Sequence, residues 1–394
     1  MKFCAVICEY NPFHNGHRYQ LAEMRRLSGC DKILCVMSGN FTQRGEPAVF
    51  GKFTRARHAV ECGADAVIEL PTPFAVSPAE LFARGAVHVL SSIPAVQTLA
   101  FGCESGTKED FLNAAQATLS EDKQFKAALK ENMKDGTSYI RARNSAVLSM
   151  NADIDESLLS SPNNLLGTEY CRALLAEGKG IEPLPIPRVG GGYADTSLFK
   201  DFSSATALRS VLGGETRKER KALKRNLPDC TLSSAEDYRP LPYKQAALCA
   251  LLSSSSEEIA ACPDCSEGLE NKLVAMAKSN PDYDEMLKKS VSKRYTLSRL
   301  KRILLQNFLK IRLKDVRDYA DSPLYCKVLA VKKTDAEEIL AAISEGEFPA
   351  IVRKSDYSLL KKDGADCFGA DLRANELYAA LSGEYVNPYE TLFI

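Results

Sequence analysis

The sequence predicts an α/β protein built on a doubly wound parallel sheet, followed by a mostly helical C-terminal region. Three observations lead to this prediction. In the first third of the chain, short apolar runs alternate with apolar positions at helical spacing, which is the pattern of parallel βαβ units. Glycine and polar residues follow three of those runs, where such sheets bind ligands. Beyond residue 213, helical patterns and basic clusters take over.

Five extended runs predict the strands, and helical spacing predicts the segments that connect them. The predicted strands are Phe3 to Ile7, Lys32 to Met37, Ala64 to Leu70, Val96 to Phe101 and the proline-interrupted run Ile181 to Pro187. The predicted helices cover the positions from Tyr19 to Leu27, Phe53 to Cys62 and Pro78 to Leu90, the last with proline in its first turn.

Two other segments complete the expected domain organisation. Residues from Glu109 to about Asp155 are rich in Lys and Glu and follow a helical pattern, which indicates a helical insertion at about 107–160. We therefore predict one domain over 1–212 and a mostly helical region over 213–394. That region is expected to end in a small β-α-β tail, with strands at Tyr325 to Val331 and Phe348 to Arg353 and a helix from Thr334.

Composition excludes several classes of protein. With 394 residues, 45% hydrophobic and 26% charged, the chain resembles ordinary globular proteins of two or three domains. Its formal net charge is zero, so only local clusters can argue for a nucleic-acid partner. The thirteen cysteines are scattered, which fits reduced thiols. No signal peptide or bilayer-spanning run is present, so we expect a cytoplasmic protein without a membrane partner.

The loop after the first predicted strand, Glu9 to His17, carries the strongest functional signal. It connects a strand to a helix N-terminus, where free N–H groups and the helix dipole favour an anion. His14 and His17 flank Gly16, which removes a side chain where a phosphate would approach the backbone. The pattern H-x-G-H therefore indicates a nucleotide site, although a structural turn with solvated histidines is the alternative.

A second motif, Ser204 to Arg209, has the pattern S-x-T-x-L-R. Ser and Thr at a helix start commonly cap N–H groups, and with Arg209 they can also hold phosphates. The motif is weak alone but specific when it follows H-x-G-H in the same chain. Arg188 precedes a glycine run at 190–192, which is either a hinge or, as we prefer, a loop on the phosphate side.

The stretch from Lys288 to Lys314 contains no acidic residue. Leu297, Leu300 and Leu304 give it an apolar stripe at helical spacing, so we predict a basic helix over Lys293 to Arg312. Two interpretations are about equally favoured: a solvated basic face, or a surface for RNA phosphates. The candidate RNA-binding residues are Lys293, Arg294, Arg299, Lys301 and Arg302.

Other polar residues are interpreted as structural. Cys262 and Cys265 have the spacing of half a zinc knuckle, but no second pair completes four ligands, so we predict no metal site there. His58 and His88 lie within helical patterns and are expected to be structural.

The two motifs together resemble the nucleotidylyl transferase superfamily, whose Rossmann-like fold is shared with class I aminoacyl-tRNA synthetases. Longer segments are similar to the bacterial tRNA(Met) cytidine acetate ligase family. They are EYNPFHNGH (9–17), SGNFTQRGEP (38–47), IELP (68–71), FARG (82–85), FGCE (101–104) and SPNN (161–164). The likeness is dense in the first half and thin in the second. Where the family often has a histidine after Tyr19, this chain has Gln20.

The resemblance implies an ATP-dependent ligase. Acetate would be activated as acetyl-adenylate and passed to N4 of the wobble cytidine of elongator tRNA(Met). ATP binding and catalysis would belong to 1–212, and tRNA binding to 213–394. The family's nucleotide contacts carry over onto Ile7, Cys8, Glu9, Tyr10, Asn11, Pro12, Phe13, His14, Asn15, Gly16, His17, Arg18, Tyr19, Gln20, Gly102, Asn163, Arg188 and Val189.

The chemistry of acetate supports a hypothesis for the catalytic residues. Acetate is ionised at neutral pH, so catalysis depends on positioning and on stabilising charge at the phosphates. We expect His14 and His17 to serve the α- and β-phosphates, and Thr206 and Arg209 to hold the pyrophosphate, with Mg²⁺ as counter-charge. Gly102 would offer its N–H to the nucleotide. The loop Asn40 to Arg44 could line either the acetate or the incoming base.

Two other functions are compatible with the sequence. A small-molecule adenylyltransferase would use the same nucleotide site, but such enzymes are usually short, and this chain has a long, partly basic second half. A catalytically inactive tRNA-binding protein would bind tRNA without ATP turnover.

Overall fold

A computed structural model describes residues 1–119, 122–134, 139–188, 202–214, 216–266 and 268–394. Val189 and the glycine run at 190–192, both predicted to lie at the nucleotide site, fall outside the described residues.

A mixed sheet of mostly parallel strands forms the centre of the protein. The strands are β1 (Phe3–Cys8), β2 (Lys32–Ser38), β3 (Phe41–Thr42), β4 (Glu46–Pro47), β5 (Ala66–Leu70), β6 (Val96–Cys103), β7 (Glu182–Pro187), β8 (Cys326–Val331), β9 (Ala350–Ile351) and β10 (Leu392–Phe393). The main sheet has the order β10-β8-β5-β2-β1-β6-β7, with β9 also paired to β8. Strands β3 and β4 form a separate antiparallel hairpin.

The predicted α/β fold is confirmed, and the sheet has its switch point at β1. From β1 the chain proceeds through β2 and β5 on one side, and then returns to place β6 and β7 on the other. All of these neighbours pair in parallel. Loops leaving β1 and β6 therefore diverge, and the crevice between them is where such sheets bind ligands.

Helices cover both faces of the sheet, so its central strands are buried almost throughout. The helices of the first half are α1 (Asn15–Leu27), α2 (Lys52–Glu61), α3 (Thr72–Ala75), α4 (Ala79–Ser91), α5 (Lys108–Leu119), α6 (Lys123–Asn132), α7 (Tyr139–Met150), α8 (Ser157–Ser160), α9 (Pro162–Glu177) and α10 (Ala205–Arg209). The segment expected to be a helical insertion contains α5 to α8.

The second half is largely helical. Its helices are α11 (Arg217–Asn226), α12 (Asp229–Glu236), α13 (Tyr243–Ser253), α14 (Ser256–Ala260), α15 (Leu269–Ser279), α16 (Tyr283–Ser290), α17 (Leu297–Phe308), α18 (Leu313–Tyr319), α19 (Ala336–Ser344) and α20 (Lys362–Ser382). Two short 3₁₀ helices cover Lys333–Asp335 and Lys354–Leu359.

The predicted basic helix over Lys293 to Arg312 is too long at both ends. Helix α17 begins only after Thr296, whose hydroxyl accepts a hydrogen bond from the Arg299 N–H and caps the helix. It ends before Lys310, which has a φ of 56° and so cannot continue a right-handed helix. Lys293 and Arg294 therefore lie in the turn before the helix.

The C-terminal strands extend the main sheet at its β5 edge. Strand β8 runs antiparallel to β5, with Ala66 opposite Val331, while β9 and β10 pair with β8 in parallel. The sheet is consequently mixed, because this edge is built from a distant part of the chain. The local pattern of strands and helices in the first half gives no information about this pairing.

A buried cluster of charged side chains connects the β5–β8 edge of the sheet to the helices that pack on it. The Lys52 ammonium group donates hydrogen bonds to both carboxylate oxygens of Glu69, at 2.7 and 2.9 Å. Asp371 accepts hydrogen bonds from the Thr72 N–H and the Tyr325 hydroxyl, each at 2.6 Å. These groups are almost fully buried, so their charges are satisfied within the protein.

Across the parts of the chain that the structure describes, no helix combines the length and the apolar character required to traverse a bilayer.

Candidate functional site

Two histidines cap the N-terminus of α1 reciprocally. The Gly16 N–H donates to His14 Nδ1 at 3.1 Å, and the His14 N–H donates to His17 Nδ1 at 3.3 Å. Because Nδ1 is the acceptor in both rings, a neutral imidazole at either position carries its proton on Nε2. The capping arrangement therefore fixes the tautomer and leaves each Nε2–H as a donor.

Both imidazoles are held in the neutral form. Their rings stack, with centroids 3.7 Å apart and planes inclined by 21°. Burial, together with the Arg188 and Arg209 guanidinium groups, lowers the pKa of His14 to about 3. Burial, His14 and Arg188 lower the pKa of His17 well below its usual value. At neutral pH the pair therefore acts as two hydrogen-bond donors and not as two cations.

Aromatic residues and a glycine give this turn its shape. Tyr10 and Phe13 are buried, and their rings lie 4.8 and 5.5 Å from the His17 ring. A side chain at Gly16 would come within 2.9 Å of the His14 ring, so glycine gives that ring room to lie over the helix start. The sequence pattern Y-x-x-F-H-x-G-H thus specifies the packing of the turn as well as its polar atoms.

Asn11 offers a further donor in the same turn. Its Oδ1 accepts from the Val49 N–H at 2.8 Å, which fixes the orientation of the amide. The side chain lines the cleft and the residue is only 3% exposed, yet Nδ2 has no hydrogen-bond partner among the described residues. A buried, unpartnered donor costs free energy, and a ligand in the cleft that accepted from it would remove that cost.

One wall of the cleft comes from β6, β7 and α9. Arg188 directly follows β7, and its guanidinium donates to Asn163 Oδ1 at 3.4 Å. Gly102 lies beneath it, where a side chain would contact the Arg188 Cγ at 3.4 Å. The sequence-predicted residues Gly102, Asn163 and Arg188 are therefore brought together, with Gln20 beside them.

Glu104, which sequence reasoning did not assign to the site, positions Asn163. Its carboxylate accepts from the Asn163 side chain at 2.6 Å and from the Asn164 N–H at 3.0 Å, at the start of α9. In return, Asn164 Oδ1 accepts from the Glu104 N–H at 2.8 Å. The FGCE and SPNN segments could have suggested this contact, because a carboxylate suits a helix N-terminus.

The opposite wall joins α10 to the two loops beyond β1 and β2. The Thr206 hydroxyl accepts hydrogen bonds from Arg44 at 2.9 Å and from Arg209 at 3.2 Å. Arg209 also donates to the Asn11 carbonyl at 2.6 Å. Arg44 and Arg209 line the cleft, whereas Thr206 lies behind them as their shared acceptor.

The β3-β4 hairpin connects the first loop to α17. The Gln43 N–H donates to Glu9 Oε1 at 2.7 Å, and Glu46 accepts from the Lys301 ammonium at 3.2 Å. Between them, Gly45 has a φ of 80° and lies against the backbone of α17, where a side chain would clash. Arg44 is thereby held in place at the tip of the hairpin.

Arg299, Lys301 and Arg302, which are proposed for RNA contact, have partners within the protein. Arg302 makes a bidentate pair with Asp264 at 2.8 and 2.9 Å. Arg299 donates to the Asp264 carbonyl at 2.9 Å and to Ser266 Oγ at 2.7 Å. Lys301 binds Glu46, as described above. Lys293 is exposed and Arg294 is partly exposed.

The remaining histidines bind other parts of the protein. His58 Nε2 lies 3.0 Å from Ser234 Oγ, and His88 Nε2 lies 2.9 Å from the Ser322 carbonyl oxygen. Neither lines the cleft. Cys262 and Cys265 are buried, and no group of three or more His, Cys, Asp or Glu side chains suited to a metal ion occurs in the described ranges.

Comparisons with known proteins point to one family. The model of the HIGH nucleotidyl transferase family matches residues 1–390. A tRNA(Met) cytidine acetate ligase of Caldanaerobacter subterraneus subsp. tengcongensis is 36% identical over 385 residues, covering 96% of this chain and 95% of the relative. One from Clostridium acetobutylicum is 32% identical over 408 residues, covering 100% and 98%.

Solved structures agree with these relatives over the full length. A crystal structure of Thermotoga maritima TmcAL without ligand has a TM-score of 0.91, with 29% identity and complete coverage of both chains. The same protein bound with alpha-thio ATP has a TM-score of 0.88, with 28% identity and complete coverage of both chains.

Proposed function

The chain belongs to the HIGH nucleotidyl transferase family, among the tRNA(Met) cytidine acetate ligases, and we propose the following reaction for it. Acetate and ATP form acetyl-adenylate and pyrophosphate. The acetyl group then passes to N4 of the wobble cytidine of elongator tRNA(Met), which gives N4-acetylcytidine and AMP. The observation that carries the proposal is the pair of neutral imidazoles, His14 and His17, capping α1 at the switch point of the sheet.

In the first step, a carboxylate oxygen of acetate attacks the α-phosphorus of ATP, and the bond to the bridging oxygen of the pyrophosphate breaks. Negative charge grows on the non-bridging oxygens of the α-phosphate and on the leaving group. The Nε2–H groups of His14 and His17 would donate to these oxygens, next to the positive end of the α1 dipole. Since both rings are neutral, this donation requires no prior protonation.

The leaving pyrophosphate would be held by Arg44 and Arg209. Both guanidinium groups share Thr206 as an acceptor, so the hydroxyl orders two cations on one wall of the cleft. Thr206 thus acts as a positioning residue, and Arg44 joins Arg209 as a phosphate ligand. From the sequence motif S-x-T-x-L-R, without the structure, the expected phosphate contacts are Thr206 and Arg209, and Arg44 is not among them.

The nucleoside would lie against the other wall. Gly102 gives the ligand access to the backbone at the end of β6, and Asn163 and Arg188 provide polar groups beside it. We keep Val189 as a proposed nucleotide contact because it follows Arg188 directly in the chain.

The free amide of Asn11 would donate Nδ2–H to an oxygen of the reacting groups, either the acetate carboxylate or the α-phosphate. It is the cleft's buried donor without a partner among the described residues, and it lies in the same turn as the histidines. An ordered donor at this point would fix acetate in line for attack.

We propose that Mg²⁺ enters with ATP. The described residues hold no cluster of three or more metal-ligating side chains, so the phosphates themselves would provide most of its ligands. When bound, the ion would neutralise charge on the leaving pyrophosphate.

In the second step, the cytidine N4 attacks the acetyl carbon, AMP leaves, and the amine loses a proton. The substrate is tRNA, so we place the enzyme in the cytoplasm. Lys293 and Arg294 remain candidates for RNA contact. For Arg299, Lys301 and Arg302, RNA contact would require exchanging their present acidic, carbonyl and hydroxyl partners.

An assay with labelled acetate tests the proposal. The protein is incubated with ATP and ¹⁴C-acetate, with elongator tRNA(Met), with a tRNA lacking a wobble cytidine, or without tRNA. We expect label in N4-acetylcytidine only with the first RNA, and acetate-dependent exchange of ³²P-pyrophosphate into ATP without RNA. Label transfer to a small phosphorylated metabolite, or tRNA binding with no ATP turnover, would contradict the proposal.

A further inference from the structure

We propose that the exposed basic face of α11 is the surface on which the tRNA backbone docks. This inference rests on the proposed function and deepens it by naming the surface that receives the RNA substrate. We call this surface the α11 face and define it by six basic side chains: Arg217, Lys218, Arg220, Lys221, Lys224 and Arg225.

These side chains are available to a partner. All six residues are exposed, and within the described residues none of their side chains makes a hydrogen bond or an ion pair. The only acid in the helix, Glu219, binds the N–H and hydroxyl of Thr216 at 3.0 and 2.6 Å. Its charge is therefore used at the helix N-terminus and does not pair with the basic residues.

The opposite side of α11 packs against the protein and fixes the position of the helix. Leu223 is buried in an apolar cluster with Phe50, Leu208 and Leu227. The basic side chains thus project from a helix that is fixed by its packing. Over ten residues the helix is about 15 Å long, so its six charges present a dense positive strip.

The α11 face adjoins the mouth of the cleft. Asn15, which lies between the two site histidines in the sequence, donates to the Arg225 carbonyl at 2.9 Å. The next residue, Asn226, is buried and accepts from the N–H of Ser203, two residues before α10, at 2.7 Å. The C-terminal end of α11 is therefore tied to the start of α1, beside the two histidines, and to the segment before α10. RNA bound along this helix would have its backbone beside the acetyl-adenylate.

The charge of the molecule favours RNA phosphates as the occupant. The whole chain has a formal net charge of zero, so it is a local feature that one short helix concentrates six cations with no ion-pair partner among the described residues. A polyanion of regularly spaced phosphates complements such a strip, and the neighbouring cleft acts on a base of that polymer. Helix α17 differs, because its basic residues are paired within the protein.

The test uses a triple variant, Lys218→Gln, Lys221→Gln and Lys224→Gln, in the full chain. The matched control is Lys123→Gln, Lys126→Gln and Lys130→Gln on α6, which replaces three exposed lysines on a helix that packs against α7. Three readouts are compared: pyrophosphate exchange without tRNA, tRNA affinity at several salt concentrations, and acetyl transfer.

We expect the α11 variant to keep the exchange rate of the unaltered protein, because ATP and acetate do not contact this face. Its tRNA affinity should fall about tenfold, and the slope of log K against log salt should decrease by about 2 to 3. The KM for tRNA should rise while kcat stays similar. The α6 variant should match the unaltered protein in all three readouts.

The outcomes separate this inference from the proposed function. If the unaltered protein neither exchanges pyrophosphate nor acetylates tRNA, the proposed function fails. If it does both, and the α11 variant binds tRNA as tightly as the α6 variant does, the docking proposal is overturned. The proposal is also overturned if the α11 variant loses adsorption to phosphatidylserine vesicles while its tRNA affinity is unchanged.

Discussion

Two polar clusters occupy the same edge of the sheet and are built in opposite ways. Beyond β1, the turn with Asn11, His14 and His17 carries three donor groups on side chains that line a cleft. Near the end of β5, Lys52 and Glu69 bind each other, and both side chains are almost fully buried. Both clusters lie at carboxyl ends of parallel strands, where ligands commonly bind. Location alone therefore does not make a site; donor groups on side chains that line a cleft are also needed.

The electrostatics of the two clusters differ accordingly. At the turn, burial and nearby guanidinium groups lower the histidine pKa values, so the rings stay neutral and remain donors. In the second cluster, burial raises the pKa of Asp371 to about 7, and Glu69 adds to the effect. Burial also lowers the pKa of nearby Lys327 to about 7. Lys327 lies on β8 and Asp371 lies on α20, so both pKa shifts result from burying charged side chains where these elements join the sheet.

The largest effect is expected on the stability of the protein, when the buried Lys52–Glu69 pair is broken. Lys52→Met leaves the Glu69 carboxylate buried without its cation, which should destabilise the protein by about 3–5 kcal/mol. Chemical denaturation followed by circular dichroism would measure this loss, while pyrophosphate exchange by the folded fraction should be unchanged. The double variant Lys52→Met, Glu69→Leu should regain much of the stability. A single variant as stable as the unaltered protein would refute a structural role for the pair.

A smaller effect is expected from a comparison of two asparagines. The Nδ2 group of Asn11 has no partner among the described residues, whereas that of Asn375 donates a hydrogen bond within the protein. Asn11→Asp keeps the oxygen that accepts from Val49 but replaces the free donor, so kcat/KM for exchange should fall by about 10²-fold. Asn375 donates its amide to the Val386 carbonyl, so Asn375→Asp should lower the melting temperature and leave exchange intact. Exchange kinetics and thermal melts of both variants provide the comparison. Equal effects of the two variants on exchange would remove Asn11 from the site.

Much of this arrangement follows from local sequence. The strands around β1 are short apolar runs, and the H-x-G-H turn lies between a strand and a helix, so both could be predicted. The cap at Thr296, which shortens α17, was also available as a local signal. The basic residues continue on both sides of the helix, so the distribution of charge does not mark its ends.

Contacts between distant segments could not be predicted in this way. The Arg44–Thr206 hydrogen bond joins residues 162 positions apart, and the antiparallel pairing of β8 with β5 is equally remote in sequence. Likewise, the sequence shows where basic residues concentrate but not which of them are neutralised. That difference separates α17, where Arg302 binds Asp264, from the α11 face.

The most direct test of the account replaces each of the two site histidines and uses a third histidine of the chain, His88, as the control. His14→Asn and His17→Asn retain an oxygen that can accept the capping hydrogen bond but lack the Nε2–H donor. We predict that acetate-dependent pyrophosphate exchange falls by about 10²–10³-fold in each, at an unchanged melting temperature, whereas His88→Asn keeps the exchange rate. Exchange within twofold of the unaltered protein in both His14→Asn and His17→Asn would contradict the account.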